Sequence, residues 1–198
     1  MNQEIEIEFK QLLDERTYHQ LLDFYYSERS PVQVQTNHYF DTAHYLLRSK
    51  GAALRVRRKS NRYILTLKEP HANGLLETHQ ELSPNTFETF KAEGTLPSGN
   101  VAKQVKNLLE AYLPNFQYLG YLKTERSEVP IKDAGLLVLD RSLYFDAIDY
   151  ELEFECTDEA TGQHAFRQLL QKWNLTENTP PNKIQRFFDA RQARESGK

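Results

Sequence analysis

Residues 4–10 read EIEIEFK and residues 149–155 read DYELEFE, and both stretches alternate charged and apolar side chains at every step. Successive side chains of an extended strand point to opposite sides, so Glu4, Glu6, Glu8 and Lys10 share one face while Ile5, Ile7 and Phe9 share the other. The second stretch sorts Asp149, Glu151, Glu153 and Glu155 against Tyr150, Leu152 and Phe154 in the same way. This period of two predicts β-strands with one charged face and one core-facing face. Shorter strand signals fall at residues 38–41, 53–58, 63–68, 75–82, 120–129 and 136–145, with turn punctuation at 51, 73–74, 97–99, 133–135 and 161–162. Helical spacing appears at 14–26, 83–93, 100–113, 158–173 and 182–194, the last after Pro180-Pro181. Antiparallel strands with helices inserted between them predict an α+β fold on a large sheet or barrel.

Composition narrows the class. The 198 residues are 39% hydrophobic, with 11 Tyr and 11 Phe, enough apolar bulk for a core and a length that suits one domain over 1–198. No apolar run approaches a membrane span, and the N-terminus is acidic where a signal peptide is basic, so a cytoplasmic protein without a membrane partner is expected. The one cysteine, Cys156, excludes internal disulfides and cysteine-based zinc fingers, and its parity with Phe154 assigns it to the core. The six histidines show no H-x-x-x-H or H-E-x-x-H spacing, so no zinc site is expected. A net charge of −3 offers no global attraction for nucleic acid, and none is expected as a partner.

That small total hides segregation. Residues 48–68 carry Arg48, Lys50, Arg55, Arg57, Arg58, Lys59, Arg62 and Lys68 and no acid, whereas the two alternating strands are acidic. Arg55 and Arg57 share a strand face, as do Thr66 and Lys68, Glu77 and Glu81, and Glu151 and Glu153. Like charges two residues apart on one face repel, so such faces are expected to meet counter-charges or a ligand. Closing the sheet would turn them into a polar lumen, with Ile5, Ile7, Leu54, Val56, Leu65, Leu67, Leu152 and Phe154 packed outward under helices. Arginine and lysine clusters suit phosphate oxygens, and carboxylate pairs suit a hard divalent cation such as Mg²⁺ or Mn²⁺. Together they describe phosphoryl-transfer chemistry. No Walker or dinucleotide-binding glycine motif is present.

These residues resemble the CYTH domain proteins, or triphosphate tunnel metalloenzymes, the superfamily of class IV adenylyl cyclases and thiamine triphosphatases. The resemblance rests on the E-x-E-x-K motif Glu6-Ile7-Glu8-Phe9-Lys10, on Tyr39-Phe40-Asp41, Leu54-Arg55-Val56-Arg57, Thr66-Leu67-Lys68, Arg126, Glu151-Leu152-Glu153 and Asn182-Lys183-Ile184-Gln185-Arg186. It implies an eight-stranded antiparallel β-barrel forming a tunnel. It also implies metal binding by Glu6, Glu8, Glu81, Glu151 and Glu153, and triphosphate binding by Lys10, Arg55, Arg57, Lys68, Arg126 and Lys183. Catalysis would centre on Glu6, Glu8, Lys10 and Lys68, with Mg²⁺ or Mn²⁺ as cofactor and a small triphosphate as substrate. One departure stands out: where the family often alternates a basic residue with two acids in the middle strand, this chain has Glu77, His79 and Glu81. Hydrolysis of tripolyphosphate or a small organic triphosphate is the leading expectation. Cyclisation of ATP to cyclic AMP is the first alternative and non-catalytic sensing of a triphosphate the second. The chain is expected to be a monomer or a homodimer. Arg58, Lys59 and Arg62 are read as a solvated turn, and Asp140 and Asp146 are weaker metal candidates.

Overall fold

The computed structural model describes residues 3–72, 74–110 and 113–197. Asn73 of the expected 73–74 turn and residues 111–112 of the expected 100–113 helix lie outside that set. Eight strands, β1 (Gln3–Leu13), β2 (Gln33–Asp41), β3 (Ala53–Lys59), β4 (Arg62–His71), β5 (Gly74–Leu82), β6 (Gln117–Ile131), β7 (Gly135–Tyr144) and β8 (Ala147–Cys156), are hydrogen-bonded in the order β1-β5-β4-β3-β2-β6-β7-β8 and close as a barrel. Among the described residues four helices interrupt them, α1 (Glu15–Phe24), α2 (Leu46–Ser49), α3 (Pro84–Glu93) and α4 (Asn100–Leu109), and two follow β8, α5 (Glu159–Lys172) and α6 (Lys183–Glu195). The chain divides into two compact units, one comprising the chain up to residue 5 with 35–122, the other 6–34 with 123–198.

In the first unit the antiparallel register sets Arg55 opposite both Tyr39 and Thr66, Arg57 opposite Asn37, Thr66 opposite His79, and Lys68 opposite Glu77. These positions share one parity and form a polar face. The other parity supplies Phe40, Leu54, Val56, Leu65 and Leu67, which are buried with Phe87 and Phe90 of α3 and Val101 and Val105 of α4. Helix α3 begins where the Ser83 hydroxyl accepts from the Thr86 amide at 3.0 Å. It ends at Gly94, whose φ of 75° and close approach to the Phe116 carbonyl leave no room for a Cβ.

In the second unit Val129, Leu137, Leu139, Leu152 and Phe154 form the apolar parity and are buried with Tyr18 and Leu21 of α1 and Phe166, Leu169 and Leu170 of α5. The Asp14 and Asp158 side chains cap those helices by accepting from the amides of Thr17 and Thr161. Phe9 stacks on Phe166 with ring centroids 5.6 Å apart. Ile5, expected in the outward apolar layer, is 45% exposed. The β1–β8 register begins at Ile7 opposite Cys156, so Ile5 lies ahead of that paired stretch.

The four-residue helix α2 has no counterpart in the sequence reading, because one turn is too short to display a 3.6-residue period. Asp41 builds it. Its buried carboxylate accepts from the amides of Thr42, Leu47 and Arg48 at 2.7, 3.0 and 3.0 Å, which satisfies the turn's orphan donors. Burial still pushes the Asp41 carboxyl above its ordinary value, outweighing those three bonds.

Candidate active site

The polar face of the first unit gathers cations around one buried carboxylate. Lys68 pairs with Glu77, and Arg55 Nη2 lies 3.8 Å from the same residue. Arg57 Nε donates to Asn37 Oδ1 at 3.1 Å. Among the described residues the Arg55 Nε–H has no hydrogen-bond partner although the atom is buried. A buried guanidinium donor without an acceptor is costly in a folded protein, and a phosphate oxygen is the kind of acceptor such a fork matches. His79 places Nδ1 3.0 Å from the Thr66 hydroxyl and Nε2 3.1 Å from Glu4 Oε1 and 3.5 Å from Glu77 Oε2. Glu81 stands apart from this group. Its carboxylate is 60% exposed and is bound by Arg62 Nε at 3.2 Å, at the rim of the β4–β5 pair. Arg58, Lys59 and Arg62 are exposed as expected, but they end β3 and begin β4 instead of forming the turn itself.

The second unit holds the acidic set. Arg126 forks Asp140 at 2.8 and 2.7 Å and reaches Glu153 Oε2 at 2.7 Å and Glu155 Oε1 at 3.4 Å. From the N-terminal turn of α6, Lys183 Nζ lies 2.7 Å from Asp140, 2.7 Å from Glu151 and 2.5 Å from Glu153. Arg186, one turn further on, forks Glu151 at 3.1 and 2.9 Å and donates to Asp149 at 2.7 Å. Lys10 Nζ donates to Glu8 at 2.6 Å, and its Cα is registered opposite Glu153.

Charge pairing sets the protonation of this cluster. Burial works to raise the Glu153 carboxyl, but Lys183, Arg126 and Lys10 together hold it well below the ordinary carboxylate range. Burial disfavours the Lys10 ammonium, and Glu8 and Glu153 more than reverse that, so it stays protonated. Glu155 behaves oppositely: burial, assisted by Glu153, Glu6 and Glu8 against Arg126, pushes it up to about 7. It is registered directly opposite Glu8, a like-charge pairing that costs energy when both are ionised.

The donor chemistry fits a divalent cation. Glu6, Glu8, Glu151 and Glu153 offer hard carboxylate oxygens, the set that Mg²⁺ and Mn²⁺ prefer. A divalent ion at Glu151 and Glu153 would share them with Lys183, whose ammonium already meets three carboxylates there.

Several partners escaped the sequence reading. Arg186 and Asp149 lie in quoted stretches, yet nothing in their local pattern distinguishes them from solvated charges. Asp140, a weaker metal candidate, is fully buried and bound by two cations, whereas Asp146 is exposed beside Arg194 at 3.2 Å. Glu4 and His79 are 75 positions apart, a proximity that no sequence spacing encodes. Burial raises the Cys156 thiol and its Sγ faces the Ile7 carbonyl at 3.7 Å, consistent with a packing role.

An eight-stranded closed barrel with basic strands in one unit and a buried carboxylate network in the other defines the class: the chain belongs to the CYTH family, whose domain profile matches residues 4–188. It is 43% identical over 190 residues to a Bacillus subtilis (strain 168) protein named as a candidate triphosphatase, YjbK, covering 96% of this chain and 97% of that one. A crystal structure of a Bacillus halodurans protein described as a candidate adenylate cyclase superposes with a TM-score of 0.87 at 36% identity, covering 95% of this chain and all of the other. A Hippeastrum protein, HpAC1, described as a candidate adenylyl cyclase with a dominant triphosphatase activity, shares the fold at a TM-score of 0.80 and 23% identity, over 94% of this chain and 96% of that one. No helix among the described residues is long and apolar enough to cross a membrane.

Proposed function

We propose that this protein is a metal-dependent triphosphatase that hydrolyses the terminal phosphoanhydride of inorganic tripolyphosphate or a small organic triphosphate. The observation that carries the reading is the buried Nε–H of Arg55, which has no hydrogen-bond partner among the described residues and stands with Lys68 beside the buried Glu77 carboxylate. A chain that keeps such a donor away from water holds it ready for an anion. The 43% identity to YjbK over nearly the whole of both chains adds the reaction class.

In this reading Arg55, Arg57 and Lys68 bind phosphate oxygens, with Glu77 and Asn37 holding their side chains in place. Lys10, Arg126 and Lys183 are further phosphate ligands, and the last two are drawn from their carboxylate partners as substrate enters. Glu6, Glu8, Glu151 and Glu153 would hold Mg²⁺ or Mn²⁺. Glu81, exposed beside Arg62, drops out of the metal set. The cation would supply charge neutralisation on the phosphates and a polarised water. The cations of this chain orient the triphosphate and stabilise the charge that gathers on the leaving diphosphate.

The Bacillus halodurans relative favours keeping cyclase activity as a second reading, since its description names that reaction. Cyclisation needs the ribose 3′-hydroxyl to attack the α-phosphorus. One assay separates the two: purified protein is incubated with Mg²⁺ or Mn²⁺ and, separately, tripolyphosphate, thiamine triphosphate and ATP, and orthophosphate, pyrophosphate and cyclic AMP are measured. Orthophosphate released from a triphosphate, abolished by EDTA and in Glu6→Gln, is the expected result. Cyclic AMP with pyrophosphate from ATP would replace the triphosphatase reading. No turnover, with thermal stabilisation by triphosphate and metal, would leave a sensor.

A further inference from the structure

We propose that Glu4, Glu77 and His79 form a second divalent-metal site in this chain, built from residues other than the E-x-E-x-K and Glu151/Glu153 carboxylates and selective for ions that accept imidazole, such as Mn²⁺ or Zn²⁺, over Mg²⁺. One ligand atom from each residue lies within 4.8 Å of the other two, a spacing that a single ion can bridge. Two neighbouring elements supply them: Glu4 from the start of β1, Glu77 and His79 from one face of β5. The Gln3 side-chain amide donates to the Thr78 hydroxyl at 2.9 Å, tying the first residues of β1 to β5 beside the site.

The imidazole is oriented for the task. Its Nδ1 meets the Thr66 hydroxyl, directly across the β4–β5 register, which can accept the Nδ1 proton. That leaves the Nε2 lone pair facing two carboxylates at 3.1 and 3.5 Å. In that tautomer three acceptors face one another, an arrangement that a cation among them would relieve, and a histidine whose other ring nitrogen is held by an outer hydrogen bond is the usual arrangement of a metal ligand. Glu77 divides its oxygens: one faces Lys68, the other faces His79 and, at 3.8 Å, Arg55. Glu77 and His79 are shielded, whereas Glu4 is largely exposed, so the open side of the coordination sphere faces solvent. One nitrogen and two oxygens discriminate against Mg²⁺, which favours an all-oxygen octahedron.

The test reads metal binding directly and does not depend on turnover. Full-length protein is titrated with Mn²⁺ by calorimetry and examined by electron spin-echo spectroscopy for ¹⁴N coupling from a bound imidazole. The expected result is ¹⁴N-coupled Mn²⁺ in the unaltered protein. His79→Gln should lose that coupling and about one equivalent of Mn²⁺ while keeping its melting temperature. Glu4→Gln, at an exposed position that threatens no packing, should retain the coupling but weaken that site by roughly tenfold or more. Glu151→Gln should leave the coupled ion in place. Absence of ¹⁴N coupling, coupling that survives in His79→Gln, or unchanged affinity in Glu4→Gln would each overturn the assignment. Mg²⁺ displacing the nitrogen-coupled Mn²⁺ at equal concentration would overturn its selectivity. Loss of triphosphatase activity would leave these readouts untouched, so this site and the proposed reaction fail separately.

Discussion

Replacing Lys183 by Met removes an ammonium from within hydrogen-bonding distance of Asp140, Glu151 and Glu153 while keeping most of the side chain's volume. Asp140 and Glu151 are fully buried, and Glu153 nearly so. Arg126 and Arg186 remain, but the three carboxylates then share one positive charge fewer. Breaking a buried ion pair by deleting one partner costs about 3–5 kcal/mol, because the other charge stays buried and uncompensated. For a chain of this length that corresponds to a melting-temperature loss of roughly 6–20 °C. Helix α6 should stay docked through Arg186 and the buried Phe187, so the loss reports on charge and not on detachment. The pH dependence supplies a sign test. In the variant Glu153 loses the foremost of the cations that hold it low, so its folded-state pKa rises towards or above the unfolded one. The deficit relative to the unaltered protein should therefore be full at neutral pH and shrink as pH falls through the raised Glu153 value, where the stranded carboxylate takes up a proton. Mn²⁺ should also raise the variant's melting temperature more than that of the unaltered protein, since a cation can replace the ammonium. Differential scanning calorimetry across pH, with and without Mn²⁺, reads all three effects. A variant that melts within about 2 °C of the unaltered protein, or whose deficit grows on acidification, would refute the pairing argument.

Arg55→Ala should weaken triphosphate binding by about 1.5–3 kcal/mol, roughly 10- to 150-fold in KM, with only a small change in melting temperature; unfolding of the variant would move Arg55 from ligand contact to structural support. His38, whose Nδ1 lies 3.0 Å from the Tyr118 hydroxyl, is lowered to about 4 by burial with help from Lys91 and Arg58. A histidine depressed from 6.5 resists protonation in the folded state, so stability it supports above about pH 6.5 is lost progressively down to about pH 4. His38→Phe should flatten that part of a melting-temperature profile, and an unchanged slope would show that other groups cause it. In α5, a Cβ on Gly162 would collide with the Cys156 side chain and lie 3.2 Å from the Phe9 ring. Gly162→Ala should therefore cost about 1–3 kcal/mol in urea unfolding, despite alanine's better helix propensity; a gain in stability would contradict the packing there.

Strand identity was legible in this sequence because alternation is a local property. EIEIEFK and DYELEFE each state which side chains share a face, and those faces recur in β1 and β8. The register was not legible. That Lys68 lies opposite Glu77 and Thr66 opposite His79 follows from the length of the β4–β5 turn, but that Lys10 lies opposite Glu153 depends on which strands become neighbours and how they align. Glu77 and Glu81 have the same parity and the same chemistry, yet one is buried among cations and the other is exposed beside Arg62. Only depth along the strand separates them, and depth is not periodic.

By itself the sequence determined the strand faces, the outward core of Leu54, Val56, Leu65, Leu67, Leu152 and Phe154, and the separation of basic from acidic segments, since each is carried by neighbours within a few residues. The tertiary structure alone decided which charges meet. It brought Lys183 of the last helix onto Asp140, Glu151 and Glu153, and Arg186 onto Asp149 and Glu151, and it set Glu4 against His79. Such meetings join residues far apart in the chain, and the burial that makes them strong also separates two glutamates on one strand. Glu153, among cations, is held down, while Glu155, two positions on, is pushed up by burial with help from neighbouring carboxylates.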